Sequence, residues 1–167
     1  MKVAVLSDIH DNIWNLDKVL KEIKGKVKAV IFCGDLCAPF TAGLLGSVGV
    51  PTYACLGNVD EDHIMMAKKG GDNIEWTALA PEYGDIKLDK RKIAFCHYPK
   101  LAELLAKTGR HDAVFHGHTH NAQKEKYNKS ILVNPGAICG IQGGKPGKAT
   151  YAIYDTKTNS VDILEIK

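Results

Sequence analysis

The first seventy residues or so alternate between short apolar runs and segments with helical spacing. Residues 13–23 place apolar side chains three and four positions apart, with Asn12 as an N-cap and Gly25 as a C-terminal stop. Weaker helices are predicted at 41–48 and 61–69. The apolar runs without helical period, which are typical of parallel strands covered on both faces, lie at 3–6, 29–32 and 52–56. Strands joined by helices in this way usually lie parallel in one sheet.

The second half of the chain is richer in short β-type runs. Leu101, Leu104 and Leu105 indicate one further helix. Residues 70–81 are expected to be irregular and exposed, and residues 89–91 form a hairpin turn. The predicted strands are 85–88, 92–96, 113–115, 123–127, 130–133, 149–154 and 161–166. The last four are too close together for crossover helices, so they should pair mainly antiparallel. The pattern predicts an α/β (α+β) fold of two packed mixed sheets with helices outside.

Composition indicates one ordinary globular domain over residues 1–167. Hydrophobic residues make up 45% and charged residues 25% of the chain. The net charge of +3 is too small to imply a nucleic-acid partner. The lysines at 24–28 and 87–92 lack accompanying aromatic residues and are interpreted as solvated faces. No apolar run approaches the length that crosses a bilayer, so no membrane partner is expected.

The cysteines favour a reducing compartment. There are five, an odd number, and none forms a C-x-x-C pair. Cys33, Cys55 and Cys96 fall at or near the ends of apolar runs and are expected to be small buried side chains. The sequence starts directly in a strand without an apolar signal region, so a cytoplasmic location is expected.

Polar side chains with metal-binding chemistry follow the predicted strands. Asp8 and His10 come after the first strand. Taken alone, this pair could also be a helix-capping carboxylate and a loop histidine. The same pattern recurs after other strands, however, and the carboxyl ends of strands border the ligand crevice in open α/β sheets. The full set of candidate ligands is Asp8, His10, Asp35, Asn58, His97, His118 and His120.

Oxygen and imidazole ligands without thiolate suit divalent ions such as Mn²⁺, which is the first expectation here. Ni²⁺, Co²⁺, Fe²⁺, Zn²⁺ and Mg²⁺ are the alternatives. Seven ligands exceed what one such ion usually takes from a protein. Two ions about 3.5 to 4 Å apart that share one carboxylate would use all of them and leave positions for water and substrate.

In order along the chain, these residues form a set of motifs: Asp8-Ile9-His10, Gly34-Asp35, Gly57-Asn58-Val59-Asp60, His97 and Gly117-His118-Thr119-His120. The ordered set resembles the calcineurin-like metallophosphoesterases, in particular their small single-domain phosphodiesterase branch. The resemblance implies a four-layer αββα sandwich. It also implies that Asp35 bridges two metals, the first held by Asp8, His10 and His120 and the second by Asn58, His97 and His118.

The resemblance further implies hydrolysis of a phosphate diester by a hydroxide that bridges the two metals, with Asp35, Asn58 and His97 as the catalytic set. One position departs from the wider family. Val59 stands where many members have a histidine that protonates the leaving oxygen, and the small phosphodiesterase branch shares this absence. The enzyme is therefore expected to prefer diesters with good leaving groups, or to use water, Asp11 or Asp60 as the acid.

Two other functions stay open. The same fold resembles the retromer scaffold subunit, which binds proteins and has a weakened metal site; the complete ligand set here favours catalysis. A phosphomonoesterase or nucleotidase is disfavoured because the extra histidine and a cap domain are missing. The expected partner is a small phosphodiester, with cyclic nucleotides among the candidates, and a homo-oligomer is compatible with the sequence.

The remaining motifs have simpler interpretations. His63 and His111 are expected at the surface, and His116 is either a partner of a metal ligand or a packed side chain. Trp14 and Trp76 could line a groove, but Trp14 is expected to pack with the first helix instead, and Trp76 is undecided. The glycine-rich stretch 140–148 lacks the spacing of a phosphate-binding loop. Asn134-Pro135-Gly136 is expected to form a turn.

Overall fold

Two mixed β-sheets pack face to face, with helices on both outer sides. The structure is a computed structural model that describes residues 1–78 and 82–167. It confirms the predicted α/β class with two packed mixed sheets. The helices are α1 (Ile13–Ile23), α2 (Pro39–Gly46), α3 (His63–Gly70) and α4 (Pro99–Lys107).

In the described part of the chain, the first sheet has six strands, four from the amino-terminal half and two from the carboxyl-terminal end. Its strands are β1 (Lys2–Leu6), β2 (Ala29–Cys33), β3 (Thr52–Cys55), β4 (Ile74–Ala78), β12 (Thr150–Asp155) and β13 (Ser160–Glu165). They lie in the order β13-β12-β1-β2-β3-β4, and β1 to β4 are parallel. Strands β12 and β13 pair antiparallel, as predicted.

The second sheet has five strands in the order β5-β6-β7-β9-β8. Its strands are β5 (Gly84–Leu88), β6 (Arg91–Phe95), β7 (Ala113–Phe115), β8 (Gln123–Tyr127) and β9 (Ser130–Asn134). The pairs β5–β6 and β8–β9 are antiparallel, whereas β6, β7 and β9 are parallel. A separate small hairpin consists of β10 (Ile141–Gln142) and β11 (Lys145–Pro146).

The continuous apolar runs of the first sheet contribute side chains to two hydrophobic cores, one on each face of the sheet. Ala4 and Leu6 of β1 face the side covered by α1, α2 and α3, whereas Val3 and Val5 face the second sheet. On the far side, α4 packs against β6, β7 and β9. The layers are therefore helices, sheet, sheet and helix. The carboxyl ends of β1, β2 and β3 lie at one edge, where the polar motifs begin.

Helix α1 shows how local sequence sets these boundaries. The Asn12 side chain accepts a hydrogen bond from the Asn15 N–H at 3.1 Å, which satisfies one free donor of the first turn. The helix ends at Ile23, and Gly25 follows with φ of 72°. The expectation that Trp14 packs with this helix is wrong. Its side chain is 74% exposed because it lies on the face opposite the buried Leu16 and Leu20.

The prediction that residues 70–81 are irregular is also wrong for residues 70–78. Residues Gly71–Asn73 form a short 3-10 helix, and β4 adds to the first sheet parallel to β3. Ile74 is buried and Trp76 packs against the same core, so the sheet stabilises a segment whose own pattern is weak. Residues 79–81 lie outside the described part of the chain.

Three smaller differences concern a turn, a loop and a histidine. The β5–β6 turn contains Asp89 and Lys90 alone, since Arg91 already belongs to β6. The glycine-rich stretch 140–148 contains the β10–β11 hairpin. His111 is only 5% exposed, with its Nε2 3.3 Å from Asp85 Oδ2, because the second sheet covers a residue whose sequence neighbours are polar. Among residues 1–78 and 82–167, no helix is long and apolar enough to span a membrane.

Candidate metal centre

The seven candidate ligands meet at one edge of the two sheets. They come from five loops, each of which follows a strand: Asp8 and His10 follow β1, Asp35 follows β2, Asn58 follows β3, His97 follows β6, and His118 and His120 follow β7. Side chains that are up to 112 positions apart, from Asp8 to His120, therefore lie in one pocket. The topology brings all seven together, as the motif pattern predicted.

The first cluster contains Asp8, His10, Asp35 and His120, and one ligand atom from each lies within 4.8 Å of the others. The two Nε2 atoms of His10 and His120 are 3.1 Å apart. His10 Nε2 lies 3.4 Å from Asp35 Oδ2, and His120 Nε2 lies 3.4 Å from Asp8 Oδ1. Two carboxylates and two imidazoles thus point at one small volume.

The second cluster contains Asp35, His97 and His118, again within 4.8 Å. His97 Nε2 lies 3.4 Å from Asp35 Oδ2. The Asn58 Oδ1 atom is 2.9 Å from His97 Nε2 and 2.9 Å from His118 Nδ1, so it is a fourth candidate metal-ligand atom in this cluster. Asp35 belongs to both clusters, which makes its carboxylate the shared element of the site.

Backbone carbonyl oxygens fix the orientation of two imidazole rings. His97 Nδ1 lies 2.8 Å from Cys33 O, and His120 Nδ1 lies 2.6 Å from Ile141 O. A carbonyl oxygen only accepts, so each Nδ1 carries the hydrogen and each Nε2 lone pair faces the cluster. His10 Nδ1 faces the Cys37 sulfur at 3.6 Å instead. His118 is the exception, since it presents Nδ1 to the cluster.

Carboxylates and imidazoles stabilise one another's charged forms in the site. Burial acts to raise the pKa of Asp35, but its hydrogen bond and charge interaction with His97 outweigh burial and lower that pKa. Burial acts to lower the pKa of His97, and the same contact with Asp35 raises it overall. The hydrogen bond to Asp8 raises the pKa of His120. This is an environment that favours positive charge between the carboxylates.

The backbone of the site is strained. Five of the seven candidate ligands have left-handed φ values: Asp8 at 52°, His10 at 43°, Asp35 at 61°, His118 at 72° and His120 at 58°. Such conformations cost about 1 to 3 kcal/mol each and persist where the surrounding structure enforces them, commonly at functional sites. The other left-handed non-glycine residues in the described part of the chain are Asp11 and Cys37, which lie in the same loops, and Asp89, Asn128 and Asn159, which lie in hairpin turns.

Two glycines permit the close approach of neighbouring loops. A Cβ atom on Gly57 would collide with Asp35 Oδ1, and one on Gly117 would collide with Ser7 Oγ. Each glycine directly precedes a candidate ligand, Asn58 in one case and His118 in the other. The glycines of these motifs therefore serve packing of the site rather than chemistry.

Asp60 has a structural role that sequence reasoning missed. It is 5% exposed and accepts four backbone hydrogen bonds, from the N–H groups of Asp35, Leu36, Cys37 and Gly57, at 2.7 to 3.0 Å. Asp11 is similarly engaged by the Ala38 N–H and the Thr41 hydroxyl. The structure therefore gives both carboxylates structural partners and does not support either as the acid. The position of Asp60 in the Asn58 motif was the only signal of its importance.

The other singled-out residues lie around the site without joining the clusters. His63 is exposed, as predicted. His116 is buried, which lowers its pKa, and its Nδ1 lies 3.0 Å from Gly117 O. Asn134 donates to the same carbonyl at 3.0 Å and accepts from the Gly136 N–H at 2.8 Å, so the predicted turn also supports the loop with His118. Cys33, Cys55 and Cys96 are buried, as predicted.

Comparisons with known proteins agree with this architecture. A phosphodiesterase from Methanocaldococcus jannaschii is 29% identical over 160 residues, covering 94% of each chain. A solved archaeal phosphodiesterase superposes with a TM-score of 0.86 at 26% identity, covering 99% of each chain. Vps29 from Entamoeba histolytica, solved with Zn²⁺, has a TM-score of 0.70 over 100% of each chain, and its 16% identity shows the fold alone.

The comparison with family models covers nearly the whole chain. The model described as the calcineurin-like phosphoesterase superfamily domain matches residues 1–159, a span that includes all seven candidate ligands. This match confirms the resemblance inferred from the motifs. The chain belongs to the calcineurin-like phosphoesterase superfamily.

Proposed function

We propose that this protein is a phosphodiesterase that depends on two divalent metal ions. The single observation that supports this best is the pair of ligand clusters that share the Asp35 carboxylate. The comparisons add support, because a phosphodiesterase is among the related sequences and an archaeal phosphodiesterase is among the similar structures, each matched over most of its length.

The donor set fits two divalent ions. Asp8, His10 and His120 would hold the first, and Asn58, His97 and His118 the second, with Asp35 between them. The oxygen and imidazole donors of these seven residues suit Mn²⁺, which we propose first, ahead of Ni²⁺, Co²⁺, Fe²⁺, Zn²⁺ and Mg²⁺. The Cys139 sulfur, which is not among the seven, lies within 4.8 Å of a ring nitrogen of both His10 and His120. The neutral Asn58 oxygen contributes a ligand without a third negative charge. The fixed Nε2 lone pairs of His97 and His120 mean that little reorganisation is needed for binding.

If bound there, such ions would lower the pKa of water to near neutrality and would offset negative charge on the phosphate oxygens. The protein's own contribution is orientation. The Val59 N–H donates to Asp35 Oδ1 at 3.2 Å, and the His118 N–H donates to both Asp8 oxygens at 3.1 Å, so both carboxylates are held in place. Fixed ligand geometry of this kind is what makes charge stabilisation effective in a hydrolase.

We infer a preference for diesters with good leaving groups, because none of the described residues considered as the acid is free to protonate the leaving oxygen. Val59 cannot protonate an oxygen, and Asp11 and Asp60 are engaged by backbone or hydroxyl donors. A hydrolase of this kind acts best on esters whose leaving groups need no protonation. The scaffold function is less well supported, since nothing in the described part of the site weakens the ligand set.

The direct test uses a chromogenic diester and the matching monoester side by side. We expect hydrolysis of bis(p-nitrophenyl) phosphate with Mn²⁺, a slower reaction with p-nitrophenyl phosphate, and loss of both on chelation with recovery when Mn²⁺ is returned. Parallel assays with Ni²⁺ and Mg²⁺ rank the metals. Diester hydrolysis that survives complete metal removal would contradict the proposal, and a faster monoester reaction would favour a phosphomonoesterase.

Replacing Val59 by histidine is expected to restore acid assistance to the leaving group. Such assistance is typically worth 10² to 10⁴ in rate, so Val59→His should raise kcat on alkyl leaving groups by about 100-fold, the lower end of this range, and change p-nitrophenolate release little. The measurement is the dependence of kcat on leaving-group pKa. Val59→Gln, a polar variant that is not an acid, is the matched control. Equal rates for both variants on every ester would show that protonation is not limiting.

A further inference from the structure

An open groove of about 570 Å³ lies beside the first ligand cluster. His10 and His120 line one part of it, and Trp14 of α1 and Ile141 of β10 line another. Trp14 is 74% exposed and Ile141 is 40% exposed. The volume lies within the range of small-molecule sites.

The placement of these two apolar side chains needs explanation. Single exposed hydrophobic residues are common on protein surfaces and by themselves indicate nothing. Here an indole and a branched aliphatic side chain come from elements more than a hundred positions apart and line the same groove as two candidate metal ligands. The apolar surface is thus continuous with the proposed phosphate site.

Hydrogen bonds fix the two walls of the groove relative to each other. The Asn12 side chain donates to Cys139 O at 3.1 Å, and the Asn15 side chain donates to Ile138 O at 2.8 Å. These bonds join the start of α1 to the segment that leads into β10. On the other side, Ile141 O accepts from His120 Nδ1 at 2.6 Å. The apolar wall is therefore tied to the candidate ligand as well as to the helix, and the groove is preorganised.

We propose that Trp14 and Ile141 form a shelf that binds a flat aromatic ring attached to the phosphate of the substrate, such as a nucleobase or an aryl group. The inference rests on the proposed function in placing the phosphate at the His10–His120 cluster. A flat ring matches the shelf because an exposed indole offers a face for stacking, and the Ile141 side chain supplies apolar contact from the second wall.

The test compares two phosphonates that differ only in the ring, phenylphosphonate and methylphosphonate, by calorimetric titration of the Mn²⁺-loaded protein. We expect phenylphosphonate to bind about three- to tenfold more tightly, the range of aromatic pair interactions. Trp14→Ala should reduce this ratio below about twofold without changing methylphosphonate affinity, and Trp14→Phe should retain most of it. Leu104→Ala, a change at a 57% exposed position of α4, is the matched control and should leave the ratio unchanged.

The experiment tests the ring-binding proposal and the phosphodiesterase proposal independently of each other. Four results would contradict the proposed ring-binding role of Trp14 and Ile141. They are equal affinities for the two phosphonates, no binding of either, a preference that survives Trp14→Ala, and loss of methylphosphonate binding in that variant. Diester hydrolysis is measured on the same preparations. If the protein hydrolyses diesters but does not prefer phenylphosphonate, only the proposed ring-binding role is contradicted. If it shows a Trp14-dependent preference but does not hydrolyse diesters, only the phosphodiesterase proposal is contradicted.

Discussion

Substitution of Asp35 by asparagine is expected to lower the rate of diester hydrolysis by more than about 100-fold. Changing a residue that only hydrogen-bonds to a metal ligand typically costs about 10- to 100-fold, and a direct ligand should matter more. Among the described residues, Asp35 is the side chain that the two clusters of proposed ligands share. Asparagine has nearly the same shape, but it removes one negative charge and one oxygen between two proposed dications. Repulsion between the ions is then less well offset, so the second ion should bind weakly.

Metal content provides the readout that separates this cause from misfolding. Wild-type protein should retain two Mn²⁺ per chain after gel filtration, and Asp35→Asn should retain one or none while keeping its thermal transition. Asp17→Asn, at an exposed carboxylate paired with Lys21 on α1, is the control and should retain both metal and activity. Full activity in Asp35→Asn, or two tightly bound ions, would exclude a bridging role for this carboxylate.

Much of this site is predictable because its determinants are local. Each ligand follows a strand that its own apolar run defines, and parallel strands end at a common edge. Asp8 and Asp35 illustrate this, since the runs before them bury both faces of β1 and β2. The order of the motifs then identifies the family before any contact is known.

The features that sequence reasoning missed depend on contacts between distant segments. Trp14 belongs to a predicted helix, but it lies on the outward face of α1 and lines a groove with Ile141 of the β10–β11 hairpin, which the helical pattern alone does not show. His111 has polar neighbours and is nevertheless covered by the second sheet. Residues Ile74–Ala78 become a strand because β3 offers a parallel edge. In each case tertiary packing outweighs the local pattern.

Asp60 is the strongest example of a role that only the folded chain reveals. Its two oxygens connect the loop after β3 with the loop after β2, because the donors are Gly57 on one loop and Asp35, Leu36 and Cys37 on the other. These are the loops that position Asn58 and the Asp35 carboxylate. A sequence motif shows that an aspartate stands there, but not which N–H groups it accepts from.

Replacing Asp60 by asparagine is therefore expected to destabilise the protein by about 3 kcal/mol or more. One carboxylate oxygen becomes an NH₂ group that faces N–H donors, so two buried backbone donors lose their acceptor and the charge that strengthened the other bonds disappears. Unsatisfied buried groups cost about 1 to 3 kcal/mol each, and hydrogen bonds to charged groups contribute about 1.5 to 3. Urea denaturation monitored by circular dichroism gives the change in midpoint and slope.

The neighbouring Asp62 provides a control for the loss of a carboxylate in the same loop. Asp62 is the N-cap of α3 and accepts one hydrogen bond from the Met65 N–H at 3.0 Å. Asparagine caps helices about as well as aspartate, so Asp62→Asn should change stability by less than about 0.5 kcal/mol. Equal stability of the two variants would contradict the assigned role of Asp60. If the role is correct, Asp60→Asn should also bind metal more weakly at temperatures where it is folded, because the loops with Asp35 and Asn58 are no longer held to one another.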